Sequence, residues 1–509
     1  MPWFRRRKPS QASHHLMFDG LISSETGLRV VFADDRARSR LGGGVIDVAP
    51  AALAGRLQGR KHAPQIDVVV ASAGQLRDSR IQHLIDTAKP AAVVTVGPEP
   101  AAGASTGRRP VHAPPAINMA ELNPVGFRRN ATNGPVLAHF TGSHPPRPLL
   151  EMLRTRWGGG ALDPDAIEAM SADDAHVGRY DARGMIEHPE LHPCARDQAD
   201  WVLTAVAQGI PVIGQLSGVA AELLDADLVK AIDEGVPSDL ADIWQRDALS
   251  ARQRRAALRR HGAPHVWRAI AAEVGLRIAP PPSVSVILAS NRRTDVLEAA
   301  KRFAAFRYPS KELVVGLHGE GFPESLAGDV RAAAGPGTKT LAIPSTATLG
   351  EALNRLTNAS SGDLVSKMDD DDLYDTSHLA DLVDALRYSG ATLVGKGSEF
   401  VYLEEIDTTI RRLPNGVESR SRSIGGGTLM IERLALRSIG GWQCAPRAVD
   451  QRLMDDVIAA GGRVHRTHGY GFILARRRDG HTWDSGVDYF LRSSVGQWQG
   501  LSTTAAGFE

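Results

Sequence analysis

Cysteine is almost missing from this chain: Cys194 and Cys444 are the only two in 509 residues. They stand far apart with no Cys-x-x-Cys spacing, so neither a disulfide framework nor a thiolate zinc site is supported, and a reducing, cytoplasmic setting fits best. An excess of either charge is also lacking. Lys and Arg total 59 against 58 for Asp and Glu, which removes the electrostatic reason to expect nucleic-acid binding and leaves only small polyanions as charged ligands. No apolar run approaches the roughly 18 residues that a membrane span needs, and the opening MPWFRRRKPS lacks the apolar segment of a secretory signal. The one membrane-directed feature is Trp3-Phe4-Arg5-Arg6-Arg7-Lys8, whose aromatic and basic side chains suit peripheral contact with an anionic inner membrane face; a frayed basic terminus is the plainer reading.

What is present is length and alternation. A chain of 509 residues exceeds the size at which one core keeps growing, so two domains are expected. In the first half, β-branched runs at 28–32, 66–71, 92–96, 136–140 and 210–213 read as strands. Between them lie stretches of helical period such as 78–88 and 197–208, the pattern of a doubly wound α/β sheet. A long Arg- and Ala-rich helix is expected over 251–274. Ile278-Ala279-Pro280-Pro281-Pro282 then forbids helix and marks the boundary, giving domains 1–278 and 283–509. A second Rossmann-like series starts at once: strand 284–289, helix 296–306, strand 312–317, helix 349–358.

The sharpest local signal is the apolar strand Leu364-Val365-Ser366-Lys367-Met368 ending in Asp369-Asp370-Asp371-Asp372. Four adjacent carboxylates repel one another. At the end of a strand in an open α/β sheet, where ligands bind, a divalent cation or cationic ligand neutralises such a cluster, and holding Mg2+ or Mn2+ against a diphosphate is the matching task. Acidic runs are more often solvated loops. Here the run sits between a buried-looking strand and a helix starting near Ser377, and it lacks the glycine and distal glutamate of an EF-hand.

Across roughly 283–490 these pieces fall in a recognisable order. They are Val284-Ser285-Val286-Ile287-Leu288-Ala289-Ser290-Asn291-Arg292; the approach and strand from Phe306 through Tyr308-Pro309 to Val314-Val315; Leu349-Gly350 through Asn354 to Ser361-Gly362-Asp363; and Met368 with its four aspartates. The segment resembles family 2 glycosyltransferases, which carry the GT-A fold. The resemblance implies that Asp369 and Asp371 occupy the acidic positions of the DxD motif, with Asp371 on a divalent metal, Mn2+ or Mg2+. Asp369 would lie near the donor ribose and the metal's water shell, and Asp372 would be a supporting or alternative ligand. It further implies that Asn291, Arg292 and Asn354 contact the donor. Asn291 as a plain turn residue and Arg292 as a solvated side chain remain open. After Val315 the family's base-contacting aspartate is replaced by Gly316-Leu317-His318-Gly319, which leaves the base undefined.

Displacement at an anomeric carbon needs a carboxylate to take the acceptor's proton. Asp450, set before Gly461-Gly462 at the family's spacing, is the candidate base. A helix N-cap is its structural alternative, and Asp455 and Asp456 are weaker rivals. Later, His481 is a candidate metal ligand, Arg476-Arg477-Arg478 a candidate diphosphate-facing run, and Trp442 either an acceptor platform or a core residue. In the first half, 197–213 resembles the donor-side helix and strand of GT-B glycosyltransferases. Pro114-Pro115-Ala116-Ile117 through Asn123-Pro124-Val125-Gly126 resembles the CgeB-like branch of that fold. Thr204 stands where the ribose-gripping glutamate belongs, which implies a degenerate lobe.

The expectation is therefore an α/β chain of two Rossmann-like domains, GT-B-like and then GT-A. It would be an inverting, metal-dependent enzyme moving a sugar from a nucleotide-sugar donor to a glycan or lipid-linked acceptor of the cell envelope. Two rivals stand beside it. A metal-dependent nucleotidyltransferase would open with a Gly-rich loop, which Ser290-Asn291-Arg292-Arg293 lacks; a non-catalytic glycan-binding scaffold is opposed by the intact Asp369, Asp371 and Asp450.

Overall fold

Valine-dense runs make the strands, because β-branched side chains pack well on a pleated surface covered on both faces. The computed structural model describes residues 25–33, 35–43, 45–47, 65–72, 74–96, 111–119, 136–137, 184–187, 195–225, 228, 243–414, 416–477 and 486–509. The basic cluster at 3–8, Asn123-Pro124-Val125-Gly126, Cys194, Arg478 and His481 lie outside these residues. Two compact units result, one of Ser23–Pro280 and one that includes Pro281–Glu509, so the divide falls inside the proline run.

In the first unit, β1 (Arg29–Phe32), β2 (Ile46–Asp47), β3 (Val68–Ser72), β4 (Ala92–Val96) and β5 (Val111–His112) form one parallel sheet in the order β2-β1-β3-β4-β5. This is a doubly wound order whose direction reverses between β1 and β3. At that reversal the Gln75 side chain accepts from Ser72 N (2.8 Å) and donates to Ala33 O (3.5 Å), bridging the ends of both strands. A second parallel sheet holds β6 (Val136–Leu137), β7 (Gly184–Glu187) and β8 (Val212–Gly214). Thr204, on the helix Ala195–Ala207, is buried and donates back to Asp200 O at 2.7 Å. The expected single helix over 251–274 is instead two, Ile243–His261 and Ala263–Val274. Gly262 and Pro264 account for the break, since a proline removes a helical donor and Gly262 pairs with Ile117 instead. The second helix packs Trp267 into the core, its indole N–H on Leu41 O at 2.7 Å.

The second unit opens with β9 (Val284–Ser290), β10 (Lys311–His318), β11 (Lys339–Ile343) and β12 (Leu364–Lys367), parallel in the spatial order β11-β10-β9-β12. The chain winds outward from β9 to β11 and then returns to the other side of β9. The topological switch point, where α/β sheets bind ligands, thus lies between the carboxyl ends of β9 and β12. Asn291 and Arg292 follow the first of these strands and the acidic run follows the second.

Beyond β12, the short β13 (Leu373–Tyr374) starts a second sheet, so the acidic run joins two strands; the expected strand-to-helix junction comes one step later, before helix His378–Ser389. β14 (Leu393–Lys396), β17 (Ser419–Arg420), β18 (Met430–Glu432) and β19 (Val464–Thr467) complete the first sheet, in the order β12-β18-β14-β19-β17. β15 (Phe400–Leu403), β16 (Thr408–Arg412), β20 (Phe472–Arg476) and β21 (Ser494–Gln499) join β13 in the order β13-β20-β15-β16-β21. The main core packs Ile287, Val314 and Val365 of the sheet against Leu353 and Leu356 of helix Leu349–Ala359 and Leu453 and Val457 of helix Val449–Ala459. Helix Leu349–Ala359 starts with a reciprocal capping box between Thr348 and Glu351, worth about 1 kcal/mol. The mixed α/β class expected from the sequence is what the chain adopts. Among the described residues no helix is long and apolar enough to cross a membrane.

Candidate active site

A cavity of about 980 Å3 opens at the switch point, at the upper end of the range for small-molecule sites. Asn291, Arg292, His318, Lys367, Asp369 to Asp372, Asp450 and Arg476 all line it. These residues come from separate segments of the sequence, and the fold brings them to one cavity.

The four aspartates do different things. Asp370 turns inward: Ser290 Oγ donates to it, and the Arg292 guanidinium grips it through Nη2 (2.6 Å) and Nε (3.3 Å). Burial pushes its carboxyl up, and Ser290 and Arg292 oppose the rise. Asp372 is also buried, with Oδ1 accepting from Ala475 N at 3.0 Å and so tying the turn to β20. Burial, then the charges of Asp369 and Asp371, hold its carboxyl well above the usual range. Asp371 meets Arg292 Nη1 at 3.0 Å, and Asp369 is the most solvent-open of the four, with 39% of its side chain exposed. Arg302 donates to the backbone carbonyls of Asp370 (3.2 Å) and Asp372 (3.1 Å), which fixes the path of the turn.

Asp450 comes from a separate element, the first turn of helix Val449–Ala459. The N-cap alternative does not hold, because the cap position is Ala448 and no side chain caps this helix. Ala448 adopts φ 56°, a left-handed conformation that costs a non-glycine residue about 1 kcal/mol. Asp450 Oδ1 is sealed from solvent and makes no hydrogen bond among the described residues. Among the described residues its close countercharge is Lys367 Nζ at 3.4 Å. Burial pushes the Asp450 carboxyl up, Lys367 pulls it part of the way back, and the Asp369 charge adds to the rise. Asp455 and Asp456 do not line the cavity; they pair with Gln451 and Gln443.

Two site features escape a reading by charge clusters. Lys367 is buried near the end of β12, where its ammonium meets Asp369 Oδ1 at 2.7 Å, Gly426 O at 3.2 Å and Asp450 Oδ1 at 3.4 Å. Burial works against its charge, but the two carboxylates outweigh it and hold the ammonium above the ordinary lysine range. A lone lysine within an apolar strand was the available signal. The second feature is Gly425-Gly426-Gly427, three glycines in a row. A Cβ on Gly426 would fall 2.2 Å from Asp450 Oδ2; one on Gly427 would fall 2.6 Å from Tyr374 Oη and 3.0 Å from both Asp369 Oδ2 and Asp372 Oδ2. Only glycine lets the carboxylates approach this backbone.

Other expectations fare differently. Asn354 does not reach the cavity: its amide donates to Trp442 O (2.7 Å) and accepts from Trp442 N (2.9 Å), making it a brace between helix Leu349–Ala359 and the 440–442 turn. Trp442 itself is a core residue, 2% exposed, with its indole N–H on Thr357 Oγ1. The acceptor-platform alternative is thereby removed. His318 lines the cavity and donates from Nε2 to Ala347 O at 2.9 Å. Arg476 lines the cavity, whereas Arg477 is committed to Asp295 at 2.7 Å.

No family model matches the chain, and no curated protein sequence matches it. Among solved structures, it is similar to a mannosyltransferase from Pyrobaculum calidifontis in complex with GDP-Man and Mn2+ (19% identity, 39% of this chain and 58% of that one, TM-score 0.32). It is also similar to S. aureus TarS 1-349 in complex with UDP-GlcNAc (14% identity, 40% of this chain and 62% of that one, TM-score 0.34). The chain spans about three fifths of the length of each. With scores this low, neither likeness identifies a substrate, a metal or a mechanism for this chain.

Proposed function

We propose that the second unit is a GT-A, family 2-type glycosyltransferase that moves a sugar, with inversion, from a nucleoside-diphosphate sugar to a hydroxyl of a glycan or lipid-linked acceptor of the cell envelope. The first unit would be a GT-B-like region without catalytic function. The observation that carries this reading is one cavity, at a strand switch point, that is lined both by the carboxylates of Asp369 to Asp372 and by Asp450 from a separate helix. In the transfer, the acceptor oxygen attacks the anomeric carbon, the bond from that carbon to the phosphate oxygen breaks, and its electrons leave with the nucleoside diphosphate. Asp450 takes the acceptor's proton, and its raised carboxyl suits a proton acceptor working near neutral pH. Arg292 and Arg476 supply fixed positive charge to the wall that faces the donor's phosphates.

A divalent ion fits these residues. Asp369 Oδ2 and Asp372 Oδ2 converge over Gly427, and Asp371, which meets Arg292, stands in the same run. Among the described residues no group of three or more His, Cys, Asp or Glu side chains is placed to hold a metal ion by itself. Mg2+ and Mn2+ need only one or two carboxylates when phosphate oxygens and water supply the rest. Asp371 with Asp369, or Asp372 as the alternative, would hold the ion, which when bound supplies charge stabilisation of the departing diphosphate. His481 remains a proposed further ligand.

The test is a thermal-shift screen of nucleoside diphosphates with and without Mn2+, on the wild type and Asp371→Ala, alongside nucleotide release from nucleotide-sugars. A shift that needs both the metal and Asp371 is expected. Metal-independent binding that is unchanged in the variant removes the role given to the carboxylates.

A further inference from the structure

The buried ammonium of Lys367 stands between the two carboxylates to which the transfer reading gives separate tasks. A lysine has three N–H donors and no acceptor, and three oxygens surround this one: Asp369 Oδ1 at 2.7 Å, Gly426 O at 3.2 Å and Asp450 Oδ1 at 3.4 Å. Two of these contacts, to Asp369 Oδ1 and Gly426 O, are hydrogen bonds and the third is an ion pair, and with the side chain only 6% exposed the ammonium is held among them. The two carboxylates depend on it unequally. Asp369 is 39% exposed, so water can replace a lost partner. Asp450 Oδ1 is closed to solvent and has no hydrogen bond of its own among the described residues, while Oδ2 rests against Gly426. Its orientation therefore hangs on Lys367 and the glycine backbone together.

We propose that Lys367 is a positioning residue for sugar transfer: through its contacts with Gly426 O and Asp450 Oδ1 it aims the Asp450 carboxylate into the cavity, while its contact with Asp369 ties that aim to the donor side. This rests on the transfer reading above and adds to it a residue acting through the base, with no contact of its own to substrate. A cation that served only to hold the fold together would leave the chemical step alone once the protein is folded. A cation that aims the base controls turnover.

The experiment uses the full chain and follows nucleotide release from the nucleotide-sugar that the wild type turns over, giving kcat and the donor KM separately. Lys367→Met keeps length and apolar volume but removes the charge; Lys367→Arg restores it. The Met variant is expected to lose about 100-fold in kcat, the effect of an ångström-scale misplacement of a reacting group. Its donor KM should stay within about threefold, and the Arg variant should recover at least a tenth of wild-type kcat. If Lys367→Met does not yield folded protein, Lys367→Gln, which retains N–H donors without charge, is read by the same criteria. A folded Met or Gln variant with kcat within about threefold of wild type overturns the proposal, as does a loss confined to donor KM or an Arg variant no better than Met. A wild type that turns over no nucleotide-sugar fails differently: it overturns the transfer reading itself, and the positioning role with it.

Discussion

Gly426 offers the most direct test of whether the geometry around Asp450 does chemical work. The residue is not in a positive-φ conformation, so alanine's own backbone preferences cost little there and the added methyl acts by contact alone. That methyl would lie 2.2 Å from Asp450 Oδ2 and 2.8 Å from its Cγ, whereas ordinary contact begins near 3.4 Å. The carboxylate must therefore move by about 1 Å, and since its Oδ1 side is held against Lys367 it moves as a unit, away from its aim. A misplacement of that size is worth about 100-fold in rate, or about 2.7 kcal/mol of barrier. Steady-state nucleotide release by Gly426→Ala, at saturating donor and acceptor, should show this loss in kcat with little change in donor KM or melting temperature. Gly427→Ala is the contrast. Its methyl meets Tyr374 Oη, Asp369 Oδ2 and Asp372 Oδ2, so its effect should fall on the donor KM and on the metal concentration required. A Gly426→Ala variant that melts like the wild type and keeps kcat within about threefold would refute the assignment of Asp450 as base.

Asn354→Ala should cost about 1–2 kcal/mol in denaturant unfolding, because it strips two bonds from the Trp442 backbone. It should leave the donor KM unchanged, and a KM effect without a stability effect would return Asn354 to the donor site. Glu312 gives a pH-dependent prediction. Burial opposes its charge, but Lys339, Ser285 and Ser361 together lower its carboxyl from 4.5 to about 2. Because the folded value lies below the unfolded one, its contribution is complete above about pH 4.5 and fades as pH falls through about 2. Glu312→Gln should therefore unfold more easily than wild type at pH 7, with the difference shrinking across that acidic window in urea titrations. An equal gap at both ends would show that the carboxylate's charge is not what matters.

The strands were legible because buried parallel strands must be apolar and β-branched, as β3, β9 and β10 are. The acidic run was legible as a site because charge placed directly after such a strand has to emerge at the sheet's carboxyl edge. Asp450 was picked out through its place in the family pattern, and it lines the same cavity as the aspartates. Asn354 and Trp442 show the limit. Each is a polar or aromatic residue at a plausible position, and only the packing of the 440–442 turn on helix Leu349–Ala359 joins them to each other and removes them from the cavity. The helix break at Gly262 was missed because the Arg- and Ala-rich period continues across it, while the pairing with Ile117 that favours the break comes from far away in the chain.

Taken alone, the amino-acid sequence determined the α/β alternation, the proline divide and a cluster of negative charge at a strand end, since each follows from neighbours within a few residues. The tertiary structure decided which aspartate faces inward to Ser290 and Arg292, and which stays open to the cavity. It also decided that the lysine of an apolar strand meets the nearby Asp369 and the distant Asp450 at once. Such choices depend on which oxygen meets which cation in a space enclosed by segments far apart in sequence, where burial multiplies the value of every ion pair. No local pattern carries that information.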